Sequence, residues 1–267
     1  MGLQLAKAHA YGNDFLYLET EELDRPDGPE LARALCERHT GVGADGLILH
    51  RVSGDGAEMR LYNADGSYSE VSGNGVRGLA ALRCWSAVCA GLEPPSAIVI
   101  RTDAGSKPLS ILESAPPRFV CRAAMGHPAD VRKVVLDVQG QPVSVAVLRV
   151  GNPQCVVLES TLDEGRYRAL GPALEHHPFF PEGTNVEFAV VEHPNRVRIL
   201  IWERGVGPTL ASGTGACAAA VAAMTYAGAA RDVEVVSPGG TQRVEWLDDG
   251  LYLTGWAEVV WEGQWTR

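Results

Sequence analysis

Two short segments of this sequence are equipped for the same chemistry. Ser72-Gly73-Asn74-Gly75 and Ser212-Gly213-Thr214-Gly215 each open an alanine-rich stretch, which runs out near Ala90-Gly91 in the first and near Ala227-Gly228 in the second. The spacing predicts a helix starting at each serine. The first turn of a helix carries backbone N–H groups without partners and the positive end of the helix dipole. Glycines there let an anion reach the bare backbone. Two such starts, turned toward one carboxylate, would hold it and set Ser72 and Ser212 against opposite faces of the adjoining carbon. One group could then remove a proton from that carbon while its partner delivers one. A serine at a helix start is most often only its N-cap, and a lone Gly-x-Gly most often a structural turn. The duplication is what points to function. A phosphate or dinucleotide cradle would need a further Gly, or a Lys-Ser/Thr pair, that neither copy has.

The elements that must position these serines read as two similar halves. In the first, residues 4–8, 14–18, 47–51, 57–63, 96–102 and 109–113 have strand character and 31–39 helical character. In the second, residues 132–138, 142–150, 155–158, 186–191 and 197–203 read as strands. Each serine segment follows a loop that follows a strand. Between the halves, Glu113-Ser114-Ala115-Pro116-Pro117-Arg118 is the best linker, because paired prolines exclude both helix and central strand. The expected fold class is α+β in two pseudo-symmetric lobes, residues 1–115 and 116–255.

Composition narrows the function. The 267 residues are 46% hydrophobic and 21% charged, the proportions of a globular chain. Lys+Arg 23 against Asp+Glu 33 leaves a net charge of −10, which argues against nucleic acid and anionic membrane surfaces as partners. A few local amides can still hold one small carboxylate. No stretch approaches the roughly 20 apolar residues of a membrane span, and the amino terminus lacks signal-peptide character. Cys36, Cys84, Cys89, Cys121, Cys155 and Cys217 are scattered without C-x-x-C pairs and read as reduced, buried thiols. The expectation is a soluble, cytoplasmic protein.

Longer motifs carry a resemblance. In order they are Tyr11-Gly12-Asn13-Asp14-Phe15, Gly41-Val42-Gly43-Ala44-Asp45-Gly46-Leu47-Ile48, Met59-Arg60-Leu61-Tyr62-Asn63-Ala64-Asp65-Gly66-Ser67 and Ser72-Gly73-Asn74-Gly75-Val76-Arg77. Then come Gly151-Asn152-Pro153, Phe180-Pro181-Glu182-Gly183-Thr184-Asn185-Val186-Glu187-Phe188, Trp202-Glu203-Arg204-Gly205-Val206-Gly207 and Ser212-Gly213-Thr214-Gly215-Ala216-Cys217. Across essentially its whole length the chain resembles the diaminopimelate epimerase family of pyridoxal-independent amino-acid epimerases. The resemblance implies two lobes, each a curled, mostly antiparallel sheet around a central helix, with the active site in the cleft between them. It implies a last strand, about 256–267, crossing back to the first lobe. It implies no cofactor and no metal, a diaminopimelate substrate, and a homodimer as an admissible assembly. The implied reaction interconverts the LL and meso forms by two-base proton transfer at the α-carbon, on the way to lysine and cell-wall precursors. Carried over by position, Asn13, Asn63, Asn152, Asn185, Glu203 and Arg204 hold the non-reacting amino-acid end. Gly73, Asn74, Gly213 and Thr214 supply amides around the reacting carboxylate. The chemistry suits these roles, since Arg204 can fork onto a carboxylate and Glu203 can accept from an ammonium.

The family's acid and base are cysteines, whereas here both positions hold serine, Ser72 and Ser212. A thiol of pKa about 8.5 can be tuned into the working range by a helix terminus; a hydroxyl titrates far higher. Gln154 also stands where the family usually has His, and Pro208 where it usually has Glu. Three explanations stay open: engineered serines, a natural lineage with slow or altered chemistry, or a protein that only binds. The changes at 154 and 208 favour natural drift. The competing functions are a catalytically silent amino-acid-binding homologue and a sibling racemase or isomerase of another amino acid. Retention of Glu203 and Arg204 argues against the sibling.

Other residues read as structural. His39, His176 and His177 lack partners at metal-ligand spacing. Cys217 reads as a small core residue, and Cys84 and Cys89 lie off a common helix face. Asp45 and Asp65 read as turn residues bonding local backbone. Trp246, Trp256, Trp261 and Trp265 read as packing for the last strands.

Overall fold

The computed structural model describes residues 2–54 and 56–266. They form two units, one running through Ala123 and resuming at Gly255, the other Ala124–Thr254. In the first, β1 (Leu3–Ala10) turns into β2 (Asn13–Glu19), α1 (Gly28–Cys36) leads to β3 (Gly46–Ser53), and β4 (Gly56–Asn63) and the short β5 (Tyr68–Ser69) follow. Then come α2 (Gly73–Cys89), β6 (Ala97–Thr102), β7 (Gly105–Ala115) and β8 (Arg118–Gly126). The second unit has β9 (Ala129–Val138), β10 (Gln141–Val150), β11 (Asn152–Leu158), α3 (Glu164–Glu175), β12 (Asn185–His193), β13 (Arg196–Glu203) and β14 (Gly207–Thr209). It continues with α4 (Gly213–Tyr226), β15 (Asp232–Ser237), β16 (Gly240–Leu247) and β17 (Gly250–Trp265).

The two connection patterns coincide. In the first unit β2 and β3 are parallel across α1, β3–β4–β5 is antiparallel, and β6 returns parallel to β4 after α2. In the second β11 and β12 are parallel across α3, β12–β13–β14 is antiparallel, and β15 returns parallel to β13 after α4. Each unit is thus a mostly antiparallel sheet with one central helix, an α+β build. In α4 the residues from Ala216 through Ala223 are buried on every side. They pack against Leu148, Val156, Ala189, Ile199, Ile201, Val235 and Val244. A helix that is apolar all round belongs in a core. Along α2, Asn74 through Leu82 are buried in the same way.

Several expectations need correction. The proline pair is no linker. Pro116 and Pro117 sit at the tip of a β7–β8 hairpin whose register runs Ala115↔Arg118. A hairpin tip asks for no ladder N–H, so proline costs nothing there. The units divide instead within β8, between Ala123 and Ala124, and again at Thr254/Gly255 within β17. Helix α1 ends at Cys36, leaving His39 beyond it. Helix α3 went unread because Gly165, Gly171 and Pro172 dilute its pattern; its cap, Asp163, accepts from the Arg166 N–H at 2.6 Å. Strands β8, β15 and β16 add to the strands expected from the sequence. The final strand is longer than expected, and its outer part pairs with β1 from His9↔Glu258 to Leu3↔Trp265. Five of the six cysteines are buried free thiols as expected, but Cys89 is exposed at the end of α2.

Candidate functional site: two serine-capped helix starts

Ser72 and Ser212 both lie in extended backbone immediately before their helices. Each is an N-cap: Oγ of Ser72 accepts the Gly75 N–H at 3.1 Å, and Oγ of Ser212 accepts the Gly215 N–H at 3.3 Å. The expected helix starts are therefore present in both units, with residues 73–74 and 213–214 as their first turns. Ser72 is half-buried, Gly73 exposed and Asn74 buried; Ser212 and Gly213 are buried and Thr214 half-buried.

In the first unit the cap is tied to the β1–β2 turn. The Asn74 amide donates to Oδ1 of Asn13 at 3.0 Å, and the buried Arg77 guanidinium donates to Oδ1 of Asn74. Arg77 also stacks over the Tyr11 ring, and the Tyr11 hydroxyl accepts the Trp256 N–H at 3.1 Å. Asn13 in turn donates to Oδ2 of Asp45 at 2.7 Å. Asp45 is not the local turn residue its composition suggests: it bonds Asn13 and the Asp14 N–H across more than thirty positions, and accepts also from Arg38. Asp14 lies between Lys7 at 2.8 Å and Arg38 at 2.9 Å; burial pushes its carboxyl up, but these two cations hold it below its ordinary value. Asp65 behaves as read, accepting from the Ser67 N–H. Asn63 is exposed at the end of β4 and donates to Oγ of Ser67 at 2.9 Å. The structure thus brings Asn13 and Asn74 together and leaves Asn63 in its own turn.

In the second unit the cap faces a polar patch on an otherwise apolar sheet. Opposed residues across a sheet share a face, and so do alternate residues along a strand. Register places Val156, Glu187, Ile201 and Thr209 in one row and Gln154 and Asn185 in the next, with Glu203 opposite Gly207 beyond. Val156 and Ile201 pack against α4, which makes this the helix-facing side. Asn152 accepts from the Gln154 amide at 2.6 Å. Oδ1 of Asn185 accepts the Arg204 N–H at 2.9 Å, while the Arg204 side chain is exposed and donates to the Glu182 carbonyl at 3.0 Å. The buried Glu175 carboxylate, at the end of α3, accepts from the Gly205 N–H and the Trp202 indole, both at 2.7 Å. It fixes the turn that carries Glu203 and Arg204.

Glu175 and Glu187 were missed in the sequence. Glu187 is fully buried, and neither carboxyl oxygen has a hydrogen-bond partner. Burial, then the nearby charge of Glu203, pushes it well above the ordinary carboxylate range. The available signal was a single acid inside the apolar run Val186-Glu187-Phe188-Ala189-Val190. The histidines serve the chain locally: His176 meets the Pro172 carbonyl and His177 the Asp137 carbonyl.

Known proteins resemble the chain along almost its whole length. The family profile described as diaminopimelate epimerase matches residues 5–129 and 146–260. The diaminopimelate epimerase of Desulforudis audaxviator is 40% identical over 283 aligned residues, covering 99% of this chain and 100% of that protein. That of Desulfitobacterium hafniense is 38% identical, covering 98% and 97%. Among solved structures, a probable proline racemase from Agrobacterium radiobacter K84 shares the fold at a TM-score of 0.74, with 17% identity, covering 99% of this chain and 93% of its own.

Proposed function

The chain belongs to the diaminopimelate epimerase family, and from that premise we propose that it binds diaminopimelate and moves a proton at its α-carbon without a cofactor. The observation that carries this reading is the repeated device: one serine-capped, glycine-opened helix start in each unit, at the positions where the family has its acid and base. In this reading Gly73, Asn74, Gly213 and Thr214 offer amides to the reacting carboxylate. Asn13, Asn63, Asn152, Asn185, Glu203 and Arg204 hold the distant amino-acid end. The helix dipoles favour the negative charge that develops when the α-proton leaves.

The serines set the rate. Substrate recognition uses amides, amide side chains and the two ionic contacts of Glu203 and Arg204, none of which the change from sulfur to oxygen removes. Proton abstraction depends on the basicity available at the attacking atom, and a serine hydroxyl gives up its own proton far less readily than a thiol. The form with Ser72 and Ser212 is therefore a binder with slow turnover. Its test is α-proton exchange of LL-diaminopimelate in deuterium oxide, alongside calorimetric binding. Binding with slow exchange is expected, and replacing Ser72 and Ser212 together by Cys raises exchange by about 100-fold or more. No binding by either form overturns the reading. Binding with no exchange above the blank selects the second reading, a catalytically silent amino-acid-binding homologue, which the paired serines favour.

A further inference from the structure

The two helix starts differ in what lies beneath them. A Cβ built on Gly75 would lie 2.7 Å from Cδ1 of Ile48 and 3.3 Å from Cβ of Ser72. A Cβ built on Gly215 would lie 2.7 Å from Oε1 of Glu187 and 3.2 Å from Cβ of Ser212. In the second unit a carboxyl oxygen and the capping serine therefore border the one space that the missing side chain of residue 215 leaves. That carboxyl is fully buried, and neither of its oxygens is hydrogen-bonded. An unpartnered buried carboxyl group costs stability and asks for a reason. Oε1 of Gln154, also fully buried and without a donor, lies on the same sheet face one row away, as an acceptor suited to a neutral carboxyl O–H. Titratable groups around Glu187 include Glu203 on β13 and Cys155 on β11; α4, which has no charged side chain, carries Cys217 two residues beyond Gly215.

We propose that Glu187 is the proton-relay partner of Ser212, a positioning and proton-holding group for chemistry at that serine. The inference rests on the family reading above for the identity of the substrate. When Ser212 acts as base, the substrate C–H bond breaks and its proton goes to Oγ. In the fraction of molecules whose Glu187 carboxyl is ionised, a fraction that grows with pH, the former Oγ–H proton passes to that carboxylate, and the electron pair stays on the α-carbon, spread into the substrate carboxylate. In the return step the neutral carboxyl group gives its proton back to Oγ as Oγ–H protonates the carbon. A rotation of the Ser212 side chain away from its capping bond, or one bridging water, completes the path. This is how a hydroxyl too weak to act alone becomes competent. Beneath Ser72 the corresponding position holds Ile48 in place of a carboxyl group, so the relay serves one face of the carbon.

Two measurements on the full chain decide this. The first needs no activity: infrared difference spectra of wild type against Glu187→Gln at neutral pH. A protonated-carboxyl band that the substitution removes, and that shifts in Ser212→Ala, is expected. Absence of that band, or its indifference to Ser212→Ala, overturns the relay whatever the substrate proves to be. The second is deuterium exchange into diaminopimelate by protein equilibrated in deuterium oxide. Glu187→Gln should lower exchange by about 100-fold with calorimetric affinity unchanged, and abolish the rise of rate with pH; Glu187→Asp should recover part of both. Undiminished exchange in Glu187→Gln overturns the relay, as does wild type that binds but exchanges nothing. Wild type that fails to bind diaminopimelate overturns the substrate assignment instead, and the infrared arm then judges the relay alone.

Discussion

The starts of α2 and α4 are two settings of one design, and their differences show which features the design requires. Serine cap, glycine at the third helical position and following apolar helix are common to both. The residues beneath are not. Tyr17 in the first unit has Val156 as its counterpart, Ile48 has Glu187, and Gly78, six residues after its cap, has Ala218. The Tyr17 hydroxyl donates to the Gly75 carbonyl at 3.0 Å and fills the space that any side chain at 78 would need. A large strand residue is thus matched by glycine on the helix, and a small one by alanine. Geometry at the cap is preserved while the chemistry below it is free to vary.

The widest separation of the units should appear with pH. Burial, aided by Arg83, depresses His50 from 6.5 to about 4. Its contribution to the first unit is complete above pH 6.5 and disappears as pH falls toward 4, a loss of roughly 3 kcal/mol. Glu187 runs the opposite way. Its folded-state titration is raised, so its contribution is complete below the ordinary carboxylate range and declines as pH rises above about 4.5. Amide exchange between pH 7 and pH 5, corrected for intrinsic rates, should show the amides of α2 and β3 loosening relative to those of α4 and β12. His50→Gln should flatten the first response and Glu187→Gln the second; parallel behaviour of the two units would remove the contrast.

A smaller effect tests the size exchange. Gly78→Ala should cost the first unit about 1–3 kcal/mol through displacement of the buried Tyr17 ring. Ala218→Gly should cost about 1–2 kcal/mol, from helix propensity and the loss of a buried methyl group. Denaturant titration of each variant measures both, and a Gly78→Ala that is neutral or stabilising would mean that Tyr17 is not what excludes a side chain at 78. Smallest and most nearly equal are the caps: Ser72→Ala and Ser212→Ala should each cost about 1 kcal/mol. A large inequality between them would show that one serine does more than cap.

Much of this was legible because it is local. A serine before a glycine-opened alanine run announces a capped, buried helix, and the repetition announces the two-unit build. What escaped depends on neighbours. The proline pair obeys the rule that excludes it from central strands, yet a hairpin tip satisfies the same rule without a linker. Asp45 has the composition of a turn residue, and only the fold brings Asn13 to its carboxylate. Glu187 alternates with apolar residues as a solvent-facing acid would. It is buried because α3 covers one side of the sheet and α4 the other, and α3 was itself obscured by Gly165, Gly171 and Pro172. A glutamate at the end of that unread helix, Glu175, could not be connected to the turn it holds.

The pairing of β1 with the outer part of β17 fixes an order of events during synthesis. The free edge of the first strand stays open until residues 258–265 have been made. The unit begun earliest on the ribosome is thus completed last, whereas Ala124–Thr254 gains its final ladder partner, Gly250–Thr254 against β16, just before then. A chain ended at residue 254 and released should carry a finished second unit and a protease-sensitive first one.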